Sequence, residues 1–290
     1  LYDCPILVGN QEILGFEAHG VPHEVAAVNL GEIDRRKLAN DLELMVKAAI
    51  SVIGDIPYRK YTFLIIGPGG GGLEHLNSSA LTLNPASLNT PAGYRSWLSF
   101  VAHEFFHLYN VKSIRPIALG PFDYDRENYT KMLWVSEGLT VYYESLILNR
   151  AGLLPRQDAL DKLSSVISRY ENSPGRRIQS AAASSFDTWL SFFGRDEHAA
   201  NMSVSYYDAG AVLGLLLDLK IRHESGNRAS LDDVMKTLYR EFYQKRKRGF
   251  TDDEFREVCE RVAGAKLDGI FEVCAEADRN INYAEYFSYA

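Results

Sequence analysis

An α+β protein is expected from this sequence: a small mixed β-sheet lobe reaching to about residue 90, followed by a mainly helical lobe over 91–290. Three observations predict it. Residues 5 to 30 alternate between apolar and polar positions, and Tyr61-Thr-Phe-Leu-Ile-Ile66 is almost continuously apolar, both of which are strand patterns. From Trp97 onward the apolar residues fall mostly at helical spacing. Joints rich in Gly, Pro and Asn, at 67–72, 84–94 and 116–125, separate these segments.

Taken in order, Pro5-Ile-Leu-Val8 and Ile13-Leu-Gly-Phe-Glu-Ala18 read as strands, joined through a Gly20-Val-Pro22 turn to a third at Val25-Ala-Ala-Val-Asn29. Asp34 caps a helix to Val52, with Leu38, Leu42, Met45, Val46, Ala49 and Ile50 on one side, and Gly54 and Pro57 stop it. Tyr61 to Ile66 is a buried strand. The glycines that follow, to Gly72, read as a flexible turn, since no Gly-Lys-Ser/Thr follows them as a phosphate loop requires. Leu76 to Leu83 is an edge strand, and 84–94 a loop. One helix carries His103. After a loop from Pro116 to Asp125, a second helix runs from Tyr129 to about Arg150. Pro155 starts a third, to about Tyr170. Residues 172–185 are a loop, and Phe186 to Phe193 is a short aromatic stretch. Ser205 to Gly210 opens a strongly apolar helix from Ala211 to about His223. Helices over Ser230–Lys245, Thr251–Ala263 and Leu267–Ala275 end the chain, the middle one opened by the capping box Thr251-Asp-Asp-Glu254. There is no internal repeat.

The chemistry concentrates in His103-Glu104-Phe105-Phe106-His107. Histidines four apart on a helix share a face, roughly 6 Å apart along the axis, and can bind one metal ion from one side. Glu104 between them cannot ligate the same ion, but it can take the proton of a water held there. Zinc suits two imidazoles and a site with one open position. Glu137, on the following helix, is the candidate third ligand. Glu144, two helical turns beyond it, is a candidate hydrogen-bond acceptor for a ligating histidine.

The H-E-x-x-H segment and the later Trp134-Val-Ser-Glu137-Gly138 together resemble the gluzincin metallopeptidases, the group of thermolysin and aminopeptidase N. Asn110-Val-Lys-Ser-Ile-Arg-Pro116, Leu119-Gly-Pro-Phe-Asp-Tyr124 and the long gap between His107 and Glu137 resemble more specifically the glycyl aminopeptidase family, many of whose members carry a PDZ domain. The resemblance covers most of the chain. It implies a thermolysin-like catalytic unit holding one zinc per chain. It also gives roles to residues that pattern alone leaves bland. Gly71-Gly72-Leu-Glu74-His75 sits where aminopeptidase N has its exopeptidase motif, so Gly71 and Gly72 let substrate approach the backbone and Glu74 binds the free α-amine. His75 departs from the usual Asn there. Tyr207, three before Gly210, matches the catalytic tyrosine, although Ala209 replaces the usual Lys, and Tyr206 is the competing candidate.

The net charge of −7 argues against a nucleic-acid partner, and Lys245-Arg-Lys-Arg248, the one basic run, reads as a solvated helix end. No stretch approaches the ~20 apolar residues of a membrane span. Three scattered cysteines form no disulfide framework and read as small buried residues. The chain begins at Leu1, so the lack of a signal peptide leaves a soluble protein of cytoplasmic, periplasmic or secreted location. The expected organisation is the end of an N-terminal β region over 1–30 and a thermolysin-like zinc peptidase domain over 31–290, without the family's PDZ or complete β domain. The expected function is a zinc aminopeptidase acting on peptides with a free N-terminus, small first residues such as glycine being implied by the family. A zinc endopeptidase of the same fold and an inactive peptide-binding adaptor are the alternatives.

Overall fold

The computed structural model describes residues 4–191 and 199–290. It divides into two units, Leu1–Lys112 with Tyr143–Ala159, and Ser113–Tyr142 with Leu160–Ala290. The first unit holds a five-stranded sheet made of β1 (Glu12–Ala18), β2 (Val21–Val28), β3 (Tyr61–Ile66), β4 (Gly72–Glu74) and β5 (Ser78–Thr82), in the order β1-β2-β3-β5-β4. β1 and β2 form an antiparallel hairpin across His19 and Gly20, both at positive φ, as a two-residue turn between twisted strands requires. The β2–β3 and β3–β5 pairs are parallel, and β4 runs antiparallel on β5. A parallel neighbour needs a crossover, and α1 (Arg35–Ile53) provides it between β2 and β3. Asp34 caps α1 by accepting from the Lys37 N–H, and the expected apolar side is buried.

Several expectations need correcting. Pro5 to Val8 is not a strand: Ile6 and Val8 are exposed, and nothing among the described residues pairs with the segment. β2 starts at Val21, because the turn is one residue earlier than Gly20-Val-Pro22 suggested. β5 is not the sheet's edge. It lies between β3 and β4, with Ser79 and Leu81 buried, and the edge is β4, within what reads as a glycine turn. Three residues with a leading glycine carry no strand propensity; pairing alone makes β4 a strand.

Against the sheet lies α2 (Pro91–Phe106), the helix of the H-E-x-x-H segment. Phe105 is fully buried, its ring 4.8 Å from Tyr61 and 5.8 Å from Phe63, centroid to centroid. Truncating such a side chain to alanine costs about 3–5 kcal/mol, so this contact fixes the helix on the sheet. Tyr94 ties the start of α2 to α1 by donating to the Asp41 carboxylate at 2.9 Å.

In the second unit, the expected helix from Tyr129 starts later. A π-helical turn, Trp134–Gly138, leads into α3 (Leu139–Arg150). Thr130 Oγ1 accepts from the Met132 N–H, which holds the preceding residues out of helical geometry. α4 spans Arg156–Asn172. Residues 172–185 are not simply a loop, since α5 (Ala181–Phe186) forms there behind a Ser180 cap. α6 (Thr188–Ser191) covers part of the aromatic stretch; Phe192 and Phe193 lie outside the described residues. After α7 (Ala199–Met202), α8 (Tyr206–Glu224) starts five residues earlier than Ala211, capped by Ser205. α9 (Leu231–Leu238) continues into a π-helical stretch, Tyr239–Arg246. The capping box at Thr251 opens α10 (Asp252–Ala263), and α11 (Asp268–Ala275) and the unanticipated α12 (Tyr283–Phe287) follow. The basic run is partly neutralised: Arg246 and Arg248 both pair with Glu254, and the bond to Arg248 first of all holds that carboxyl down at about 2. Cys259 and Cys274 are buried, but Cys4 is exposed. No helix among the described residues is long and apolar enough to cross a membrane.

His23 in β2 gives the first unit a pH dependence. Its Nδ1–H donates to the Val21 carbonyl at 2.9 Å, its Nε2 accepts from the Tyr58 hydroxyl at 2.8 Å, and its ring stacks on Phe16. Burial opposes the charged form and lowers the imidazole from 6.5 to about 4. The unfolded chain therefore binds the proton more tightly. The stability this confers is complete above 6.5 and is lost as pH falls toward about 4. The loss amounts to ~3 kcal/mol at most. Urea midpoints of wild type and His23→Gln, measured from pH 7 down to 4, should converge toward acid; parallel curves would contradict this account.

Candidate metal centre

α2 is built to bring two imidazoles to one point. Thr90 caps it by accepting from the Gly93 N–H at 3.1 Å, and Pro91 starts it where no N–H is needed. Val101, Ala102, Phe105 and Phe106 are all fully buried. Phe106 packs on Tyr143, with ring centroids 4.8 Å apart. The α-helix ends at Phe106, and His107 is its C-cap, still in helical conformation, with its N–H on the His103 carbonyl.

The two rings differ in their supports and agree in the result. His107 Nδ1 lies 2.9 Å from the Asn110 carbonyl oxygen, and His103 Nδ1 lies 3.2 Å from Glu144 Oε2. Both partners accept, so each Nδ1 carries the ring proton and each Nε2 presents a lone pair. These two Nε2 atoms are 3.1 Å apart. In that tautomer no proton lies between them and both lone pairs face one point, as two ligands of one cation would. Zinc–nitrogen bonds of about 2.0–2.1 Å at tetrahedral angles would set the two nitrogens roughly 3.3 Å apart, so the pair fits the metal. Glu144 is itself fixed, its Oε1 accepting from Ser99 Oγ at 3.2 Å. Ser99 was not singled out from sequence. Its signal is its position four before His103, on the same helix face.

β4 crosses directly over Glu104. A Cβ on Gly72 would come within 2.9 Å of Glu104 Cγ and 2.5 Å of the Phe100 ring, so only glycine lets the strand pass this close. Gly71 is held to β5 through its carbonyl, which accepts from both the N–H and the hydroxyl of Thr82. Side chains two apart on a strand share a face, so Glu74 points the same way as the Gly72 position, toward α2. A carboxylate oxygen of Glu74, one of Glu104 and a ring nitrogen of His107 all lie within 4.8 Å of one another. Lys112, which the sequence reading passed over, has its Nζ 3.9 Å from Glu74 Oε1.

The second unit contains Glu137 and the two tyrosines. Glu137 is half-buried on the π-helical turn. That turn is pinned at its start by the Trp134 N–H on Ser185 Oγ, at 3.1 Å. Two glycines bring α8 against it. A Cβ on Gly138 would stand 2.3 Å from Gly210 Cα, and one on Gly210 would stand 2.2 Å from the Trp134 carbonyl oxygen. The glycine of the Tyr-x-x-Gly pattern is thus needed where the backbones touch, and it carries Tyr207 three residues before the crossing. The neighbouring rings of Tyr206 and Tyr207 stack at 4.8 Å. Tyr206 is buried and its hydroxyl accepts from Thr188 Oγ1 at 3.2 Å, whereas Tyr207 is half-buried.

The family model for M61 glycyl aminopeptidase matches residues 96–213. The chain is similar to an aminopeptidase N family protein from Idiomarina loihiensis, with 32% identity and a TM-score of 0.91 over 97% of this chain and 49% of that one. It shares its fold with an M1 zinc metallopeptidase from Deinococcus radiodurans solved with a Tyr-Ser-Ala substrate (15% identity, TM-score 0.62, 94% of this chain and 53% of that one). It shares it also with aminopeptidase A from Legionella pneumophila solved with aspartic acid (15% identity, TM-score 0.60, 93% of this chain and 28% of that one). The chain therefore spans about half the length, or less, of the solved proteins it matches. No curated protein matches it. The resemblance to gluzincin aminopeptidases and the α+β, thermolysin-like fold both hold.

The glycine crossing makes a direct prediction. Gly210→Ala must push α8 off the turn that bears Glu137, and should lower stability by about 3 kcal/mol or more, the upper end for overpacking. Gly269→Ala, in α11 with open space around the added carbon, should be neutral or slightly stabilising. Urea denaturation of both variants checks this, and equal midpoints would refute the crossing.

Proposed function

We propose that this relative of the gluzincin aminopeptidases is the catalytic part of a zinc-dependent aminopeptidase, hydrolysing the first peptide bond of peptides with a free N-terminus and favouring small first residues such as glycine. The observation that carries this reading is the pair of imidazole Nε2 atoms 3.1 Å apart, each on a ring whose Nδ1 is taken by an acceptor, so that in the neutral rings both Nε2 lone pairs are available to a metal. His103, His107 and Glu137 are the residues to hold one zinc, a His/His/Glu set of the kind catalytic zinc uses with one position left open. When bound, zinc supplies a Lewis acid for the attacking water and the scissile carbonyl.

The remaining steps belong to the chain's own side chains. Glu104, one residue after His103, accepts the proton of the attacking water and returns it to the leaving amine. Its burial supports this role, since a base shielded from bulk water competes with few other proton donors. Tyr207 donates its hydroxyl to the oxyanion that develops on the carbonyl. Tyr206 is the competing candidate, since its hydroxyl accepts from Thr188 Oγ1 at 3.2 Å and keeps its own proton to donate. β4, as the sheet's edge, offers backbone groups for an extended peptide to add as a further strand. Glu74, two residues along that edge from Gly72, receives the α-ammonium and so sets the distance from the amine to the scissile bond. An internal peptide bond brings no ammonium, which favours the aminopeptidase over the endopeptidase reading.

Two experiments test this. Elemental analysis should find one zinc per chain, strongly reduced in His103→Ala and Glu137→Ala. Glu104→Gln should keep the zinc and lose cleavage by several orders of magnitude, and Tyr207→Phe should lower kcat by about 10²–10³. Undiminished zinc in both ligand variants would end the assignment. In a second experiment, matched peptides with free and acetylated N-termini are compared: only the free one should be cut, and Glu74→Gln should lose most of that preference through a raised KM. Efficient cleavage of the acetylated peptide would favour an endopeptidase.

A further inference from the structure

At the start of the turn that bears Glu137, the second unit holds a cavity of about 400 Å³. Its walls are mostly apolar, with Met132, Trp134 and Phe271 the largest, and charged side chains stand around its rim. A concave, mainly apolar space of this size with a few polar groups is what small-molecule sites use. Among the described residues, neither Glu137 nor Tyr206 nor Tyr207 lines it, so it lies apart from the proposed catalytic side chains.

Two features select an occupant. The first is Trp134. It is 1% exposed, and its indole N–H is buried with no hydrogen-bond partner among the described residues. Such a donor has lost its water and gained nothing in return, so an oxygen brought in by a ligand recovers the loss. The ring packs edge to face on Phe255, with centroids 5.6 Å apart, which holds it in place; the acceptor must come to it. The second feature is charge. Arg256 is already engaged: it donates to Glu260 at 3.0 Å and to Asp268, and it lies over the Phe271 ring. That leaves Lys131 at the rim against two carboxylates, Asp252 and Asp253. Burial acts first to raise the Asp252 carboxyl above its ordinary value, and the Lys131 charge offsets this only in part. The rim therefore accommodates one more positive charge.

We propose that this cavity binds an amphipathic primary amine: the ammonium sits at Asp252 and Asp253, the apolar body lies against Met132 and Phe271, and an oxygen at the far end accepts from the Trp134 indole N–H. A ligand so placed also touches α5 through Ala182 and Ala183. It thus contacts both segments joined by the Trp134 N–H on Ser185 Oγ, the bond that pins the Glu137 turn. The proposal does not rest on the aminopeptidase reading.

The test follows the indole N–H resonances of the three tryptophans in ¹⁵N-labelled full chain. Trp134→Phe assigns the one of interest, or Trp97→Phe and Trp189→Phe do so by elimination if that variant does not fold. The probe is 4-(aminomethyl)benzamide, which carries an ammonium and a carboxamide oxygen at opposite ends of a ring. At millimolar concentration, as suits so small a ligand, it should move the Trp134 indole proton downfield and saturably. Benzylamine lacks the acceptor and should leave that proton nearly unmoved. 4-Carbamoylbenzoate has a carboxylate in place of the ammonium and should not bind. Asp252→Asn should weaken the probe on the order of tenfold. Ala182→Phe should fill the cavity and abolish the shift, with Ala275→Trp at the exposed rim as a second blocking variant; thermal melts show which is folded. An unmoved Trp134 resonance in wild type, equal binding of the carboxylate analogue, an equal shift with benzylamine, or a shift that persists in a folded blocking variant overturns the proposal.

Discussion

Two lone pairs 3.1 Å apart, on His103 and His107, are the feature to which the rest of the first unit is fitted. Left to themselves they repel, and the fold must hold them together in the absence of a cation. It does so from both ends of each ring. Glu144 and the Asn110 carbonyl fix the tautomers by taking the Nδ1 protons, and Ser99 fixes Glu144 in turn. The backbone beneath is held by Phe105 and Phe106, which have no exposed surface. Burial of this kind stabilises by about 1.5–3 kcal/mol per side chain, which opposes the repulsion of the converging acceptors. The hydrophobic contacts of α2 with the sheet therefore hold the helix that carries both imidazoles.

In the second unit a comparable constraint acts through backbone instead of side chains. Gly138 and Gly210 remove two Cβ atoms from a crossing that has no room for either. The same crossing explains why a π-helical turn persists at Trp134–Gly138. The turn breaks the regular i→i−4 ladder, which would be a loss in an isolated helix. Here its first N–H is taken by Ser185, and α8 lies flush against its last residue. The cost of the irregular turn is met by packing, and the result fixes Glu137 and the start of α8 relative to each other.

How much of this was open to sequence reasoning depends on the range of each interaction. The His103–His107 pair is legible because it is a spacing within one helix, and helix spacing is geometry. The bodies of α1, β3 and α10 are legible for the same local reason, with caps at Asp34 and Thr251 that follow from side-chain chemistry. The α+β class follows from where the two periods occur along the chain. What escaped was set by partners distant in sequence. Ser99 reaches Glu144 across 45 residues, and Tyr94 reaches Asp41 across 53. Trp134 finds Ser185 across 51, and nothing local announces that its turn is π-helical. The loop at 172–185 hid α5 because a six-residue helix of three Ala, two Ser and one Phe has no apolar stripe to read.

The misreading of β4 has the most to say about function. Its sequence, glycine before leucine and glutamate, has the composition of a turn, and a strand-seeking eye moves on to the better pattern at Ser78–Thr82. That better pattern is buried on both sides by neighbours, with β3 on one flank and β4 on the other. A strand with strong propensity makes a good interior; it makes a poor place for a substrate, because its backbone is already paired. The weak strand is left at the edge, where its outer backbone groups face no other strand among the described residues and the missing side chain of Gly72 lets it lie on Glu104. Local preference and final structure disagree at β4 because its pairing with β5 and its close approach to Glu104 outweigh what its own residues favour. The same disagreement marks the Trp134–Gly138 turn. In both places the backbone departs from what its own sequence favours, and in both a candidate functional carboxylate, Glu74 or Glu137, stands on the departing segment.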